Sequence, residues 1–339
     1  MVPVFRLSTT DPYLNLAQEE TLLERTLELG PTLLLWRNDP CVVIGRHQNP
    51  WVECDLRRMK AHAVPLVRRT SGGGAVYHDG GNTNFSFIAP SKPAPPHAGY
   101  DQERQFRVIV AGLARLGISA WKTQRNDLRV GEHKISGNAF RHTRGRSLHH
   151  GTLLVSTDLN LLTAYLSPRG HLIQTRATAS VRSTVTNLGS VRPGLTHEEL
   201  WDALQEAFRE EYGEPAAGPI REQPASSRPS GGRGRTPPPE AHLPSPDDPE
   251  IRERAAELAS WEWRYGHTPT FVRTVTGRGP EDEPEIALTV KRGQIVAVDP
   301  ASSRVRDTLI GIRYDREAVL AQARDRDAAL IRRIAEEID

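Results

Sequence analysis

RRTSGGGAVYHDGGNTN, running from Arg68 to Asn84, sets three consecutive glycines, Gly72-Gly73-Gly74, between two short apolar segments that read as strands, Val64–Val67 and Ala75–Tyr77. A further strand candidate, Phe85–Ile88, follows. Three glycines permit positive φ and close approach of a ligand to the backbone. Amides exposed in such a turn can hold an anion. Arg68 and Arg69 stand just before them, with forked donors that suit phosphate. No Gly-Lys-Ser/Thr follows, so this is not a P-loop, and the spacing is not the GxGxxG dinucleotide fingerprint. A bare glycine corner is equally at home in a structural hairpin. Tyr77, His78, Asp79, Asn82 and Asn84 point further, because a purely structural strand rarely carries so many hydrogen-bonding groups.

Outward from that run, Asn15–Leu29 reads as a helix with Leu16, Leu23 and Leu27 on one face. Thr32–Trp36 and Cys41–Ile44 read as strands about the turn Asn38–Pro40. Gln105–Leu116 is helical, with Phe106, Ile109, Val110 and Leu113 inward. Lys134–Ile135 and Gly151–Val155 are short apolar strands. Thr196-His-Glu-Glu199 is a capping-box match that opens a helix through Trp201, Leu204 and Phe208. Strands interleave with helices without regular βαβ spacing, which predicts an α+β sheet covered by helices and not a doubly wound fold.

A chain of 339 residues exceeds one compact core and suits a large domain plus a small one. Pro215–Pro249 is rich in Pro, Gly, Ser and Arg and buries too little apolar surface to offset its ordering entropy. The predicted organisation is therefore a domain over 1–214, a flexible linker over 215–250 and a small domain over 251–339. In the last, Ile286–Val298 has the alternation and central turn of a hairpin, and Asp315–Glu337 reads as largely helical. Net charge is +2, which argues against a strongly electrostatic nucleic-acid binder. Two cysteines, Cys41 and Cys54, are too few for a disulfide framework and suggest a reducing compartment. No run of about twenty apolar residues spans a membrane. A cytoplasmic location is expected, with the mitochondrial matrix as the alternative for a processed form.

Two more clusters carry chemistry. In RNDLRVGEHKISGNAFR (Arg125–Arg141), Asp127 precedes a short strand and Lys134 begins the next. Such a pair is often a surface ion pair of under about 1 kcal/mol, but Ile135-Ser-Gly-Asn138 follows Lys134 as a second small, backbone-accessible stretch. His149-His150-Gly151-Thr152 invites a metal reading, yet the spacing fits no common zinc pattern. A hydrogen-bonded or substrate-lining role suits the histidines better.

Taken together these segments resemble the lipoate–protein ligase A family. The resemblance runs through DPYLNLAQEE (Asp11–Glu20), GRHQNPWVEC (Gly45–Cys54), Arg68–Asn84, RNDL (Arg125–Leu128), KISGNAF (Lys134–Phe140), HHGTLL (His149–Leu154) and SVRSTVTNL (Ser180–Leu188), with WEWRYG (Trp261–Gly266) opening a small C-terminal domain. It implies a mixed β-sheet flanked by helices, as in biotin–protein ligases, with a small α+β accessory domain. It implies a reaction in which lipoate and MgATP give lipoyl-AMP, whose acyl group passes to a lysine of an acceptor lipoyl domain, in an E2 subunit of a 2-oxoacid dehydrogenase or the glycine cleavage H protein. A monomer is expected. Carried over residue by residue, the nucleotide and adenylate would meet Arg69, Gly74, Ala75, Val76, Tyr77, Asp127, Lys134 and Arg182. Lipoate would meet Gly73, Gly74, His78, Lys134, His149 and Gly151, with its apolar arm near Val43, Ala75 and Leu153. Lys134 is the candidate catalytic residue, Asp127 the candidate magnesium ligand, and the segment Pro168–Arg182 the cover over the adenylate.

Three rivals remain. A mitochondrial-type transferase would use preformed lipoyl-AMP. An octanoyl transferase would need a cysteine nucleophile, whereas neither Cys41 nor Cys54 has a neighbouring base. A non-catalytic lipoyl-binding protein would have no need of Arg69, Asp127 and Lys134 together.

Overall fold

The computed structural model of the chain describes residues 2–91, 101–143, 145–167, 172–181, 183–213, 243–276, 285–324 and 327–338. At its centre is a five-stranded sheet in the order Val4–Arg6, Thr32–Trp36, Asn82–Pro90, Arg146–Leu154, Asn138–Thr143. The first pair is parallel and the others are antiparallel, so the sheet is mixed and the α+β expectation holds. Thr32–Trp36 is buried along its whole length. Successive side chains on a strand point to opposite faces, and both faces here are covered. Leu33, Leu35, Phe85, Phe87 and Leu153 pack under the helices Gln102–Arg115 and His197–Tyr212. Leu34, Trp36, Ile88 and Leu148 pack on the other side, with the helices Pro12–Leu29 and Pro249–Ala259.

Local signals explain the helix ends. The Pro12–Leu29 helix starts where Asp11 accepts from the amides of Tyr13 and Leu14, with Pro12 in its first turn. It stops at Gly30, whose φ of 74° few other residues adopt. The Thr196/Glu199 capping box forms as read from the sequence. Leu16 and Leu23 are buried as expected, but Leu27 is 59% exposed and Leu22 takes its place in the core. Asp315–Glu337 is two helices, Arg316–Leu320 and Ala328–Glu336, and not one.

Three smaller sheets accompany the central one among the described residues. Leu66–Arg68, Cys41–Ile44 and Val76–His78 form one, with Cys41–Ile44 in the middle. Trp121–Lys122, Leu128–Val130 and His133–Ser136 form the second. The third joins Ile173–Thr175 to Phe271–Val275, Ile286–Lys291 and Gln294–Asp299, all antiparallel.

That third sheet corrects the domain boundary. Its edge strand, Ile173–Thr175, comes from the region read as the first domain. Conversely, the helix Pro249–Ala259, read as the start of the second, buries Ile251, Ala255 and Leu258 against the Pro12–Leu29 helix. Residues 215–242 of the expected linker lie outside the described residues. At its far end Gln18 Nε2 donates to the Pro244 carbonyl, and Leu243 packs on the core. Trp51 crosses the other way: its ring sits 5.4, 5.3 and 5.2 Å from those of Tyr265, Phe271 and Tyr314, inside the C-terminal core.

Two outcomes are expected of these contacts. Trp51→Ala should lower stability by about 3–5 kcal/mol, read as a fall in the urea midpoint; an unchanged midpoint would show that Trp51 does not hold the two parts together. His149 is fully buried among aromatic rings, and burial pushes its pKa well below the usual 6.5. The unfolded chain then takes up a proton below that pH that the native state does not. Stability attributable to His149 is full above pH 6.5 and should fall by about 1.4 kcal/mol per pH unit below it. His149→Gln should flatten the slope of stability against pH; the same slope in both proteins would count against this.

Candidate active site

The cavity face of the central sheet is set by register. Trp36 pairs with Asn84 and Asn84 with Thr152, forming one cross-strand row. Ser86 and His150 lie in the next row. Of these, Trp36, Asn84, Thr152 and His150 floor a cleft of about 1010 Å³. Its buried end is lined by Leu16, Trp36, Val43, His78, Asn84 and His150, and its open end by Trp121–Arg125, Arg129 and Glu132. A second lobe of about 370 Å³ lies alongside, walled by Val52, Tyr77, Leu154, Leu162, Leu166 and Val185. Ala75, Val76, Lys134, Gly137, Thr152 and Ser180 border both lobes.

Lys134 therefore stands where the lobes meet. Its Nζ lies 2.8 Å from Asp127 Oδ1, with both side chains mostly buried. The strand that carries it is braced from outside the sheet: Lys134 N donates to the Thr184 carbonyl, and Thr186 N donates to the Lys134 carbonyl. Asp127 is aimed by a tight turn. Asn126 has φ 63°, and its carbonyl accepts from Asn138 Nδ2 at 2.8 Å. The pair read from RNDL and KISGNAF is thus brought together.

Arg69 borders the larger lobe, as the adenylate expectation requires, whereas Arg68 is not among its lining residues. Arg69 is buried, and its guanidinium donates to the carbonyls of Val43, Gly72 and Gly74 and to Ser71 Oγ. It moulds the glycine loop from beneath. Gly73 is needed there: its φ is 86°, and a Cβ would lie 2.9 Å from Arg69 Nη2. Burial lowers the Arg69 pKa to about 10, still far above neutrality, so the cation persists. Gly73, Gly74, Ala75 and Val76 line the larger lobe as expected, while Tyr77 borders only the smaller one, its ring 5.2 Å from that of Tyr165.

Of the two neighbouring histidines, His150 faces the cleft and His149 does not. This corrects the assignment of His149 to the lipoate site. His149 turns to the opposite face, stacks on Phe140 at 4.5 Å and bonds Gln105 and Asn138. Leu153 shares that face and packs under the helices, so it cannot line the cleft either. Gly151 between them borders the cleft; a Cβ there would lie 2.6 Å from both Asn138 Oδ1 and Phe85 Cζ. His78 does line the buried end, hydrogen-bonded to Asn38 at 3.0 Å, and burial lowers its pKa to about 3, which keeps it neutral.

Several partners were not legible. Glu19, from the first helix, lies 2.9 Å from His150 Nδ1 and accepts from Ser86 Oγ, to which Trp36 Nε1 donates. Ser71 Oγ lies 2.6 Å from His150 Nε2. At the mouth, Ser180 Oγ accepts from the Ala75 amide and from Gln48 Nε2 and donates to the Glu53 carboxylate. Ser180 belongs to the segment expected to cover the site. Arg182 and residues 168–171 of that segment lie outside the described residues. Cys41 and Cys54 are buried and unpaired, and burial raises both thiol pKa values, so neither offers a thiolate. Among the described residues no three His, Cys, Asp or Glu side chains gather as a metal site, and no helix is long and apolar enough to cross a membrane.

The pattern of the lipoyl protein ligase A/B catalytic domain matches residues 11–209. A lipoate-protein ligase A of Psychrobacter cryohalolentis is 38% identical over 332 residues, covering 94% of this chain and 91% of that protein. Among solved structures, P. falciparum LipL1 in complex with lipoate shares the fold at a TM-score of 0.62 and 24% identity, over 98% of both chains. The bi-partite lipoate protein ligase of Thermoplasma acidophilum, studied with its E2 lipoyl domain, reaches a TM-score of 0.57 and 26% identity over 77% of this chain and 95% of that one. The catalytic-domain match, and an identity held along nearly the whole length of the Psychrobacter relative, lead to one conclusion: this chain belongs to the lipoyl protein ligase A/B family.

Proposed function

We propose that the chain is an ATP-dependent lipoate–protein ligase, which converts lipoate and ATP to lipoyl-AMP and pyrophosphate and then passes the lipoyl group to a lysine of a lipoyl domain. The observation that carries this reading is Lys134 at the junction of two lobes of different character. The larger has a long buried end with apolar walls at Leu16, Trp36 and Val43, suited to an acyl arm. The smaller is a slot between Tyr77, Leu162, Leu166 and Val185, suited to a flat base. A carboxylate from the first lobe and a phosphate from the second would meet at Lys134. Support comes from relatives of similar fold: a T. acidophilum ligase with bound lipoic acid, at a TM-score of 0.54 and 25% identity, and a lipoate-protein ligase A bound with ATP, at a TM-score of 0.56 and 26% identity.

In this reading Lys134 stabilises the negative charge that grows on the carbonyl oxygen and on the departing phosphate. Asp127 positions the ammonium before the anion arrives. Arg69 shapes the loop from its carbonyl side. On its amide side the Ala75 N–H, held here by Ser180 Oγ, would turn to a phosphate oxygen. Arg182 is proposed to reach that phosphate from the covering segment. Asp127 is also the carboxylate that would hold a magnesium ion arriving with ATP, the rest of whose shell would be phosphate and water. Such an ion supplies charge neutralisation of the phosphates.

The acceptor lysine attacks the acyl carbonyl, forming the amide as the bond to AMP breaks. Only about one lysine in a thousand is neutral at pH 7, and the Lys134 charge beside it favours that neutral amine. No covalent enzyme intermediate is needed, in keeping with two thiols that are buried and protonated.

Mass spectrometry of an apo lipoyl domain, incubated with the protein and lipoate, should show a lipoyl mass gain only when MgATP is added. A gain obtained with lipoyl-AMP but never with lipoate and ATP would replace ligation by simple transfer. Lys134→Ala should slow both pyrophosphate release and transfer by roughly a hundredfold or more; normal rates for both steps would remove Lys134 from the chemistry.

A further inference from the structure

Trp121 borders the open end of the larger lobe, is 48% exposed and belongs to no core cluster. Its indole is nonetheless held, with Nε1 donating to the Gly131 carbonyl at 3.2 Å. Trp121 pairs in register with Arg129, and Arg129 with Lys134. The ladder is irregular between Leu128 and Arg129, but all three side chains line the cleft, so they form one row leading out from the reaction centre. At about 4.8 Å per strand, Trp121 stands roughly 10 Å from Lys134. Val181, 67% exposed, flanks the same opening.

The charge of this rim is also uneven. Lys122 is paired with Glu103, and Lys134 with Asp127. Arg125 is exposed, and no carboxylate pairs with it or with Arg129 among the described residues; the Arg129 Nη1 donates only to the Glu132 carbonyl, and its Nε is unpartnered. Among the described residues the acids that line this cleft are Glu132 and Asp127, and Asp127 is already paired with Lys134.

We propose that Trp121 and Arg125 form the docking ledge for the acceptor protein. The proposal rests on the ligase reading above. A lysine side chain reaches roughly 6 Å from its backbone, so the domain that presents it must rest on this rim for its amine to arrive beside Lys134. The occupant that fits is a folded domain with its lysine on an exposed turn, an apolar residue to cover the indole, and carboxylates facing Arg125 and Arg129. A rigid aromatic ring is a common anchor of binding energy, and complementary charge orients the encounter and speeds it.

The test separates the half-reactions. Trp121→Ala and Arg125→Glu are each assayed for lipoate-dependent ATP–pyrophosphate exchange, for capture of the activated acyl group by hydroxylamine, and for transfer to an apo lipoyl domain of a 2-oxoacid dehydrogenase E2. Exchange and capture should stay within about twofold of the unaltered protein. The KM for the domain should rise roughly tenfold, Trp121→Phe should restore most of it, and Arg125→Glu should weaken its salt dependence. An unchanged KM for the domain overturns the proposal. So does a parallel loss of exchange, which would place the indole or the arginine on ATP. If the unaltered protein shows no lipoate-dependent exchange, it is the ligase reading that fails instead.

Discussion

Arg68 is a fully buried cation with no carboxylate partner among the described residues. Its guanidinium donates to the carbonyls of Gly45, Arg46, Gln48 and Arg264 and to Thr268 Oγ1. Burying a charge is costly unless its donors are met, and here five oxygens meet them. Burial lowers its pKa only to about 10, so it stays charged. The consequence is architectural. The turn after Cys41–Ile44, the strand that feeds the glycine loop, and the π-helical turn Glu262–Gly266 with the residues after it are tied to one side chain. Trp263 repeats the tie from the other side, its Nε1 donating to the Arg68 carbonyl at 2.7 Å. The shape of the cleft follows from this knot, because Gly45 and the glycine loop pack directly against each other.

Much of the fold was legible where periodicity carried it. Thr32–Trp36 and Cys41–Ile44 match residue for residue, because continuous apolar runs bounded by Gly-Pro and Asn-Asp-Pro leave few alternatives. The helix over 197–212 was marked by its capping box. The exceptions lack a clean local pattern. Trp121–Lys122 and Asn138–Thr143 pair with strands only a few residues on, but their mixed polar and apolar sequences show no regular alternation, whereas Ile173–Thr175 owes its strand state to Phe271–Val275, far along the chain. The boundary at Ile251 failed for the same reason: composition marks where a chain is polar, and packing decides which core an amphipathic helix such as Pro249–Ala259 joins.

The site divides in a similar way. Lys134 and Asp127 could be read as a pair because neighbouring segments bring them together at short separation in the sequence. His149 was taken for its neighbour: the choice between adjacent residues of a strand depends on which face is covered by helices, and a histidine pair hides that alternation. The arginines before the glycines looked like phosphate ligands because a free guanidinium fits phosphate. The C-terminal segment claims donors of Arg68, and the loop claims most of those of Arg69, which still borders the cleft. Glu19 lies 131 residues from His150 in sequence, a separation from which no spacing rule could join them.

The edge strand Ile173–Thr175 has a consequence for how the molecule is assembled. Its partner, Phe271–Val275, is made about a hundred residues later, and the oxygens of Arg264 and Thr268 that meet Arg68 come later still by its reckoning, 196 and 200 residues on. During synthesis the catalytic half therefore emerges with a buried cation unmet and the segment beside its cleft without a sheet to join. Local contacts can settle the hairpins and helices early, but loop closure over such spans is slow. The cleft reaches its final shape only when nearly the whole chain is present, so the accessory sheet is as much a part of its completion as the strands that line it.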